Sequence, residues 1–271
     1  MSRGEDRRWP PVPGRGVLAR PGGRWLLPAL VIAALIGLWQ LAASTGAIAD
    51  ALNIKPFLVP SPAEVADSLW ENRSLLAENA WVTLKEIVIG FAIALFAGLA
   101  FAVLLHLFET LRRAFYPLVV ASQTIPIVVV APILVVWFGF GNGPTLAVIA
   151  LICFFPITVN ALDGLRSVDP SATKMMRTLD ASRWQTFRWV EAPSALPFVF
   201  SGAKIAVAVA VIGAVFGEQV SSGDGLGRLI LQDGYHYEVA RQFASVFVLS
   251  AMAISLFGLL ALAERRVVTW R

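Results

Sequence analysis

The sequence predicts an all-α membrane protein with six transmembrane helices. Three observations carry this. The chain is 57% hydrophobic and only 15% charged, with a mean hydropathy of +0.71, outside the range of soluble domains. It contains repeated apolar runs of about 20 residues, the length an α-helix needs to cross roughly 30 Å of hydrocarbon. Lysine and arginine are concentrated in alternate connecting segments. Backbone groups in lipid must be satisfied internally, so the runs are read as helices rather than strands.

Taken in order, residues 1–24 are rich in Arg, Pro and Gly and read as a disordered basic cytoplasmic tail. A basic start before an apolar run also has the outline of a signal peptide. The run that follows is near full spanning length, which favours an uncleaved first span. The six spans are Trp25–Ser44, Leu84–Leu107, Ala114–Phe138, Thr145–Leu162, Phe198–Gln219 and Gln242–Leu262, within a single membrane domain over 25–265. With the N-terminus inside, sixteen Lys and Arg residues fall on the cytoplasmic side against three outside, Lys55, Arg73 and Arg228. That positive-inside bias places both termini in the cytoplasm, including the tail 266–271. The net charge of +4 therefore reports topology and gives no reason to expect nucleic-acid binding. The segments 45–83, 139–144 and 220–241 lie outside, and the long loop 163–197 lies inside.

Several chemistries find no support. The single cysteine, Cys153, lies mid-span, where it is read as a small buried hydrophobe or a pathway position. His106 and His236 have no carboxylates or cysteines at ligand spacing, so no metal site is expected. An enzyme in the membrane needs a nucleophile–base pair or an acidic metal cluster, and no such spacing occurs. An ion-coupled secondary transporter needs buried acids or inverted repeats; only Glu218 stands out, and the halves show no repeat.

The inner loop is the most informative stretch. Asp169 followed by Pro170 is a helix start, a carboxylate cap with proline at the first helical position. Met175, Met176 and Leu179 then share a face, and the pattern breaks at Asp180. Ser182 with Gln185 forms a capping-box signature for a second short helix, which presents Trp184, Phe187 and Arg188 before Glu191-Ala192-Pro193 ends it. Two short helices with exposed methionine and aromatic side chains fit a groove on a partner; an interfacial pair lying on the inner leaflet fits the same pattern.

Within the spans, Ser122-Gln123-Thr124-Ile125-Pro126 and Ala131-Pro132 free backbone groups that need partners in protein or a water-filled cavity. Gln123, Thr124 and Pro126, with Asn160, are candidates to line a translocation pathway; interhelical hydrogen bonding is the alternative. Glu218, at the outer end of span five, either pairs within the bundle or lines an outer gate. Lys204 is read as snorkelling to the inner interface and Arg241 as an interfacial anchor. Tyr235-His236-Tyr237, in the glycine-rich outer segment, reads as an aromatic belt.

The inner loop resembles the "EAA" loop of ABC-importer permeases, E-A-A, three residues, G, nine residues, I-x-L-P. Here the positions are Lys174-Met175-Met176, Asp180 and Val190-Glu191-Ala192-Pro193. Pro193 is the consensus residue, Lys174 replaces the acid, and Asp180 replaces the glycine, a substitution a left-handed turn tolerates. The surrounding runs Phe155-Pro156-Ile157, Gly164-Leu165, Val168-Asp169-Pro170, Ala181-Ser182-Arg183-Trp184-Gln185 and Ala195-Leu196-Pro197 are similar to the nitrate/sulfonate/taurine type. So are Ser201-Gly202, Leu58-Val59-Pro60-Ser61-Pro62, Trp137-Phe138-Gly139 and Gly225-Leu226-Gly227. The resemblance spans about residues 26–265.

It implies the type I ABC importer permease fold in the cytoplasmic (inner) membrane, and a transport subunit rather than an enzyme. The implied assembly is a pair of permease copies, a homodimer, with cytoplasmic ABC ATPase subunits and an extracellular or periplasmic solute-binding protein. No G-x-x-x-x-G-K-[ST] occurs, so ATP-Mg belongs to the partner and no cofactor to this chain. The coupling residues implied are Lys174, Met175, Met176, Asp180, Ser182, Trp184, Phe187, Arg188 and Pro193, and Lys174 calls for a carboxylate on its partner. Ser122–Ile127, Ser201–Ala206 and Gly213–Glu218 resemble the thiamine-precursor branch, which imports hydroxymethylpyrimidine or related aminopyrimidines; a sulfonate, taurine or nitrate carrier is the alternative.

Overall fold

The structure, a computed structural model, describes residues 23–221 and 223–270; most of the basic tail read at 1–24 lies outside them. The chain divides into two units, Met1–Ala63 and Glu64–Arg271. In the first, α1 (Gly23–Ser44) is followed by the short α2 (Ala47–Leu52) and a 3-10 turn at Pro56–Leu58. Gln40 Oε1 accepts from the Ala63 N–H at 3.1 Å, at the start of α3 (Pro62–Glu71).

The second unit holds α4 (Arg73–Leu107), α5 (Glu109–Ser122), α6 (Ile127–Phe138) and α7 (Asn142–Arg166). These are followed by α8 (Pro170–Thr178), α9 (Arg183–Thr186), a π turn over Phe187–Glu191, α10 (Ala192–Ser221), α11 (Leu226–His236) and α12 (Val239–Val267). Among the described residues, five helices are long and apolar enough to cross a membrane, and α5 with α6 would make a sixth. No strand occurs among the described residues.

The core is built on small residues at a spacing of four. On α4 they are Gly90, Ala94, Gly98 and Ala102; on α10 they are Gly202, Ala206, Ala210 and Ala214. Between them α7 presents Ile149, Cys153 and Ile157, all fully buried. A Cβ on Gly90 would stand 2.7 Å from Ile149 Cγ2, and one on Gly98 would stand 3.0 Å from Ile157 Cγ2. Lipid tails are as apolar as leucine, so burial alone does not bring helices together in a bilayer. Close backbone approach and interhelical hydrogen bonds do. Cys153 Sγ donates to the Ala206 carbonyl at 3.2 Å, and the Thr145 and Ser221 hydroxyls meet at 2.9 Å.

Two expected spans differ from the sequence reading. The run 114–138 is not one straight helix: α5 and α6 meet at 103° across Gln123–Pro126. Pro126 supplies no N–H and disfavours helix at Ile125, while Ser122 and Thr124 hydroxyls donate to the carbonyls of Val119 and Ala121, both at 2.8 Å. Glu191-Ala192-Pro193 does not end the second short helix of the inner segment. The π turn carries it into α10, giving one 39-residue helix over Arg183–Ser221. The widened turn shifts the hydrogen-bond register, with the Ala192 N–H reaching Phe187 O, and so accommodates Pro193, which has no N–H and would crowd an ordinary α turn. At 1.5 Å per residue that helix is roughly 58 Å long, so its first turns project beyond the hydrocarbon.

Candidate functional site

The projecting inner segment is a hairpin of α8 and α9. Asp169 caps α8, its Oδ1 accepting from the Ser171 N–H at 2.7 Å; that bond holds the carboxyl below the usual carboxylate range. The helix ends in a Schellman closure: Ala181 N–H to Met176 O at 3.0 Å and Asp180 N–H to Arg177 O at 3.1 Å. Asp180 takes the left-handed conformation, φ 51°. Ser182 opens α9 with a complete capping box: the Gln185 N–H reaches Ser182 Oγ at 3.2 Å and Gln185 Oε1 accepts from the Ser182 N–H at 2.7 Å.

These two closures fix what the hairpin presents. Lys174, Met175, Leu179, Trp184 and Arg188 are exposed, while Met176, Phe187 and Pro193 are half-buried. The Trp184 ring stacks on Phe187 with centroids 5.5 Å apart and planes at 22°. The Arg188 guanidinium lies 5.5 Å from the Trp189 ring centroid. Phe187 in turn lies against His106 at the end of α4, 6.5 Å between centroids, and His106 Nε2 bonds Glu191 Oε2 at 2.9 Å. A cleft of ≈ 500 Å³ opens here, lined by His106, Thr173, Arg177, Arg183, Phe187 and Glu191 among others. The hairpin is thus joined to the spans by the π turn and by the His106–Glu191 contact. Sequence reasoning missed that contact, whose partners are 85 residues apart.

A second cavity, ≈ 330 Å³, sits at the break between α5 and α6, bounded by Ser122, Gln123, Ile125, Ile127 and Val130, with Leu151, Ile152 and Phe155 of α7. Gln123 is its one side-chain amide, and no charged residue lines it. Thr124 and Pro126 belong to the break itself. Asn160 does not share this lining: its Nδ2 donates to the Pro156 carbonyl at 2.8 Å, and it packs where Gly202 lets α10 approach α7. Glu218 is also elsewhere. It is fully buried, and its Oε2 accepts from the Gly227 N–H at 2.6 Å, closing the outer segment onto the bundle.

Two further residues have partners the sequence did not reveal. Lys204, rather than snorkelling free, pairs with Glu264 of α12 at 2.6 Å. Arg241 pairs with the buried Asp233 of α11 at 2.7 Å.

A bundle of close-packed apolar helices, one of them broken beside a cavity, with a capped polar hairpin projecting from one end, is the arrangement expected from the resemblance to importer permeases. Residues 90–269 match the family of binding-protein-dependent transport system inner membrane components, and the chain belongs to that family. It is 35% identical over 234 residues to a probable ABC transporter permease of Haemophilus influenzae, covering 86% of this chain and 93% of the relative. It is equally 35% identical over 247 residues to the formylaminopyrimidine transport permease ThiX of Halalkalibacterium halodurans, covering 91% and 96%. The taurine permease TauC of Escherichia coli is 28% identical, covering 91% and 92%. In fold the chain matches a chain of the MetNI methionine ABC transporter in an inward-facing conformation, with a TM-score of 0.65 at 21% identity over 72% of this chain and 97% of that one. The protein is therefore a multi-pass membrane subunit of an ABC importer, a transport component rather than an enzyme. Its family works with an ATPase, which uses the ATP, and with a binding protein.

Proposed function

We propose that this permease imports a neutral aminopyrimidine of the thiamine-precursor kind, handed over by a binding protein at the outer face. The observation that carries this reading is the cavity at the α5–α6 break: one amide, Gln123, and one hydroxyl, Ser122, in a wall that is otherwise apolar and aromatic and holds no cation. An amide offers a donor and an acceptor side by side, matching the ring nitrogen and amino group of an aminopyrimidine, and Phe155 supplies a face for a planar ring. A sulfonate or nitrate ion would leave its charge unpaired there. The name of the ThiX relative agrees with this chemistry; the taurine relative gives the competing reading.

Transport is driven through the hairpin. Lys174, Met175, Met176, Asp180, Ser182, Trp184, Phe187, Arg188 and Pro193 form the surface and supports that dock an ATPase carrying ATP-Mg, and the exposed apolar face of α5 and α6 receives a second copy of the chain. ATPase closure moves the hairpin, and the rigid α9–α10 continuity and the His106–Glu191 contact pass the movement to α10 and α4. Thr124, Asn160 and Glu218 support the pathway without lining the cavity. The test is uptake by the complex purified from its native host, reconstituted with its binding protein. ATP-dependent accumulation of a labelled aminopyrimidine, uncompeted by taurine or nitrate, is the expected result. ATP-dependent accumulation of taurine or another oxyanion instead overturns the substrate assignment.

A further inference from the structure

Two buried acids lie side by side near the outer end of the bundle; Glu218 supports the pathway as described above, and Glu86 has no part in it. Glu86 of α4 is 2% exposed and Glu218 of α10 is fully buried, with their carboxyl groups against each other. Glu218 is held at the N-terminus of α11. Its Oε2 accepts from the Gly227 N–H at 2.6 Å, and the Arg228 backbone N–H is also directed at it. The helix end has space for the carboxylate because Gly225, with φ 110°, and Gly227 carry no side chains; a Cβ on Gly227 would stand 2.9 Å from Glu218 Oε2. Flanking bonds from α4 complete the attachment: Asn79 Oδ1 accepts from the Gly225 N–H at 2.8 Å and Thr83 Oγ1 from the Leu226 N–H at 2.9 Å.

Glu86 has no such support. Neither of its oxygens, nor Glu218 Oε1, meets a donor elsewhere among the described residues. The charged groups on the packed elements do not neutralise it. Lys85 of α4 is exposed, with its Nζ 5.8 Å from the Trp81 ring centroid. Asp233 of α11 is paired with Arg241 of α12, and Asp224 is exposed in the preceding loop. The Arg228 Nε is buried with no acceptor, and α7 contributes only the Thr145 hydroxyl, which is bonded to Ser221. Two ionised carboxylates in contact in such a site repel strongly; one proton between them turns repulsion into a hydrogen bond. The helix N-terminus stabilises negative charge on Glu218, so Glu86 is the member that carries the proton.

We propose that Glu86 and Glu218 bind a single proton, and that this proton fastens the N-terminus of α11 to the bundle. Glu86 is then a positioning residue for the outer face. That its release alters handover rests on the reading above that the binding protein docks on this face. With the proton present, Glu86 donates to Glu218, which accepts from α11. When rising pH removes it, the two charges repel, and the strain is relieved by α11 lifting so that water reaches the carboxylates.

Amide exchange on the native complex in nanodiscs tests the proton without needing the binding protein. Protection at Leu226 and Gly227, corrected for the intrinsic pH dependence, should fall about tenfold as rising pH removes the proton, the scale of losing a hydrogen bond to a charged group. Glu86→Gln, which donates at every pH, should hold that protection constant, and Glu86→Ala, which removes the second charge, should likewise abolish its pH dependence; core amides of α7 check that each variant is folded. Wild-type protection that does not vary with pH, or an E86Q profile that follows the wild type, overturns the proposal. Affinity for the binding protein, measured over the same range, should fall in the wild type and stay level in E86Q. Exchange that behaves as stated while affinity does not follow it overturns the positioning role and the docking reading, and leaves the shared proton intact.

Discussion

Trp184→Ala gives the clearest access to the coupling surface. The side chain is 65% exposed and stacks on Phe187 alone among the described rings. The bundle therefore loses little when it is removed, about 0.5–1.5 kcal/mol of ring stacking at a solvent-facing site. Docking is a different matter. A tryptophan offers up to about 250 Å² for burial; covering the exposed two thirds removes about 160 Å² from water, worth about 4 kcal/mol at ~25 cal/mol per Å². Incomplete coverage and the cost of ordering leave about 2–4 kcal/mol, or about thirty- to several-hundred-fold in affinity. The assay is equilibrium binding of the ATPase to the permease in nanodiscs, with thermal unfolding of the permease alone as control. Trp81→Ala, 60% exposed on α4, should leave ATPase affinity unchanged. An affinity within about threefold of wild type, with both proteins folded, refutes the assignment of Trp184 to the docking surface.

Four other outcomes follow from the geometry. Gly202→Ala places a methyl 2.7 Å from the Pro156 carbonyl oxygen, which a backbone cannot vacate, so α7 and α10 must part; unfolding should cost about 1–3 kcal/mol less, whereas Gly258→Ala, with nothing within 4 Å, should be neutral in the same melt. Gln123→Leu should raise KM for the aminopyrimidine about tenfold, the value of one or two lost hydrogen bonds, without changing ATPase affinity, as read by uptake kinetics. Ser182→Ala removes the cap and should cost about 1 kcal/mol locally, read as faster amide exchange at Gln185 and Thr186 with an unchanged melting temperature. At the other helix start the cap is sensitive to acid. Asp169 sits below its ordinary value, so its stabilisation is complete above the unfolded value and is lost as pH falls through the lower folded one; exchange at Ser171 should remain slow through the usual carboxylate range and accelerate only in stronger acid.

The spans and the hairpin were legible in the sequence because both are local. A run such as 84–107 needs only its own hydropathy, and the Ser182–Gln185 box needs only four consecutive residues. The Asp180 turn was legible for the same reason, since the left-handed conformation is a property of one residue and its neighbours. What failed was the consequence of proline in context. Pro126 bends its helix pair because hydroxyls beside it bond their own turn, while Pro193 ends nothing because a π turn absorbs it. Nor could spacing reveal pairs brought together by packing: His106 with Glu191, Lys204 with Glu264, and above all Glu86 with Glu218. Glu86 reads as an ordinary polar residue near a span boundary until α4 and α10 are packed together, and only then is it a buried acid.

The most direct test of the coupling account is a photo-crosslinking residue placed at Leu179, 67% exposed at the tip of the hairpin, in the complex isolated from its native host. The account predicts an adduct with a P-loop ATPase, identified by mass spectrometry, and none from the same residue placed at Trp137. An ATPase that co-purifies but crosslinks equally at both positions, or a complex with no ATPase adduct at Leu179, would contradict it.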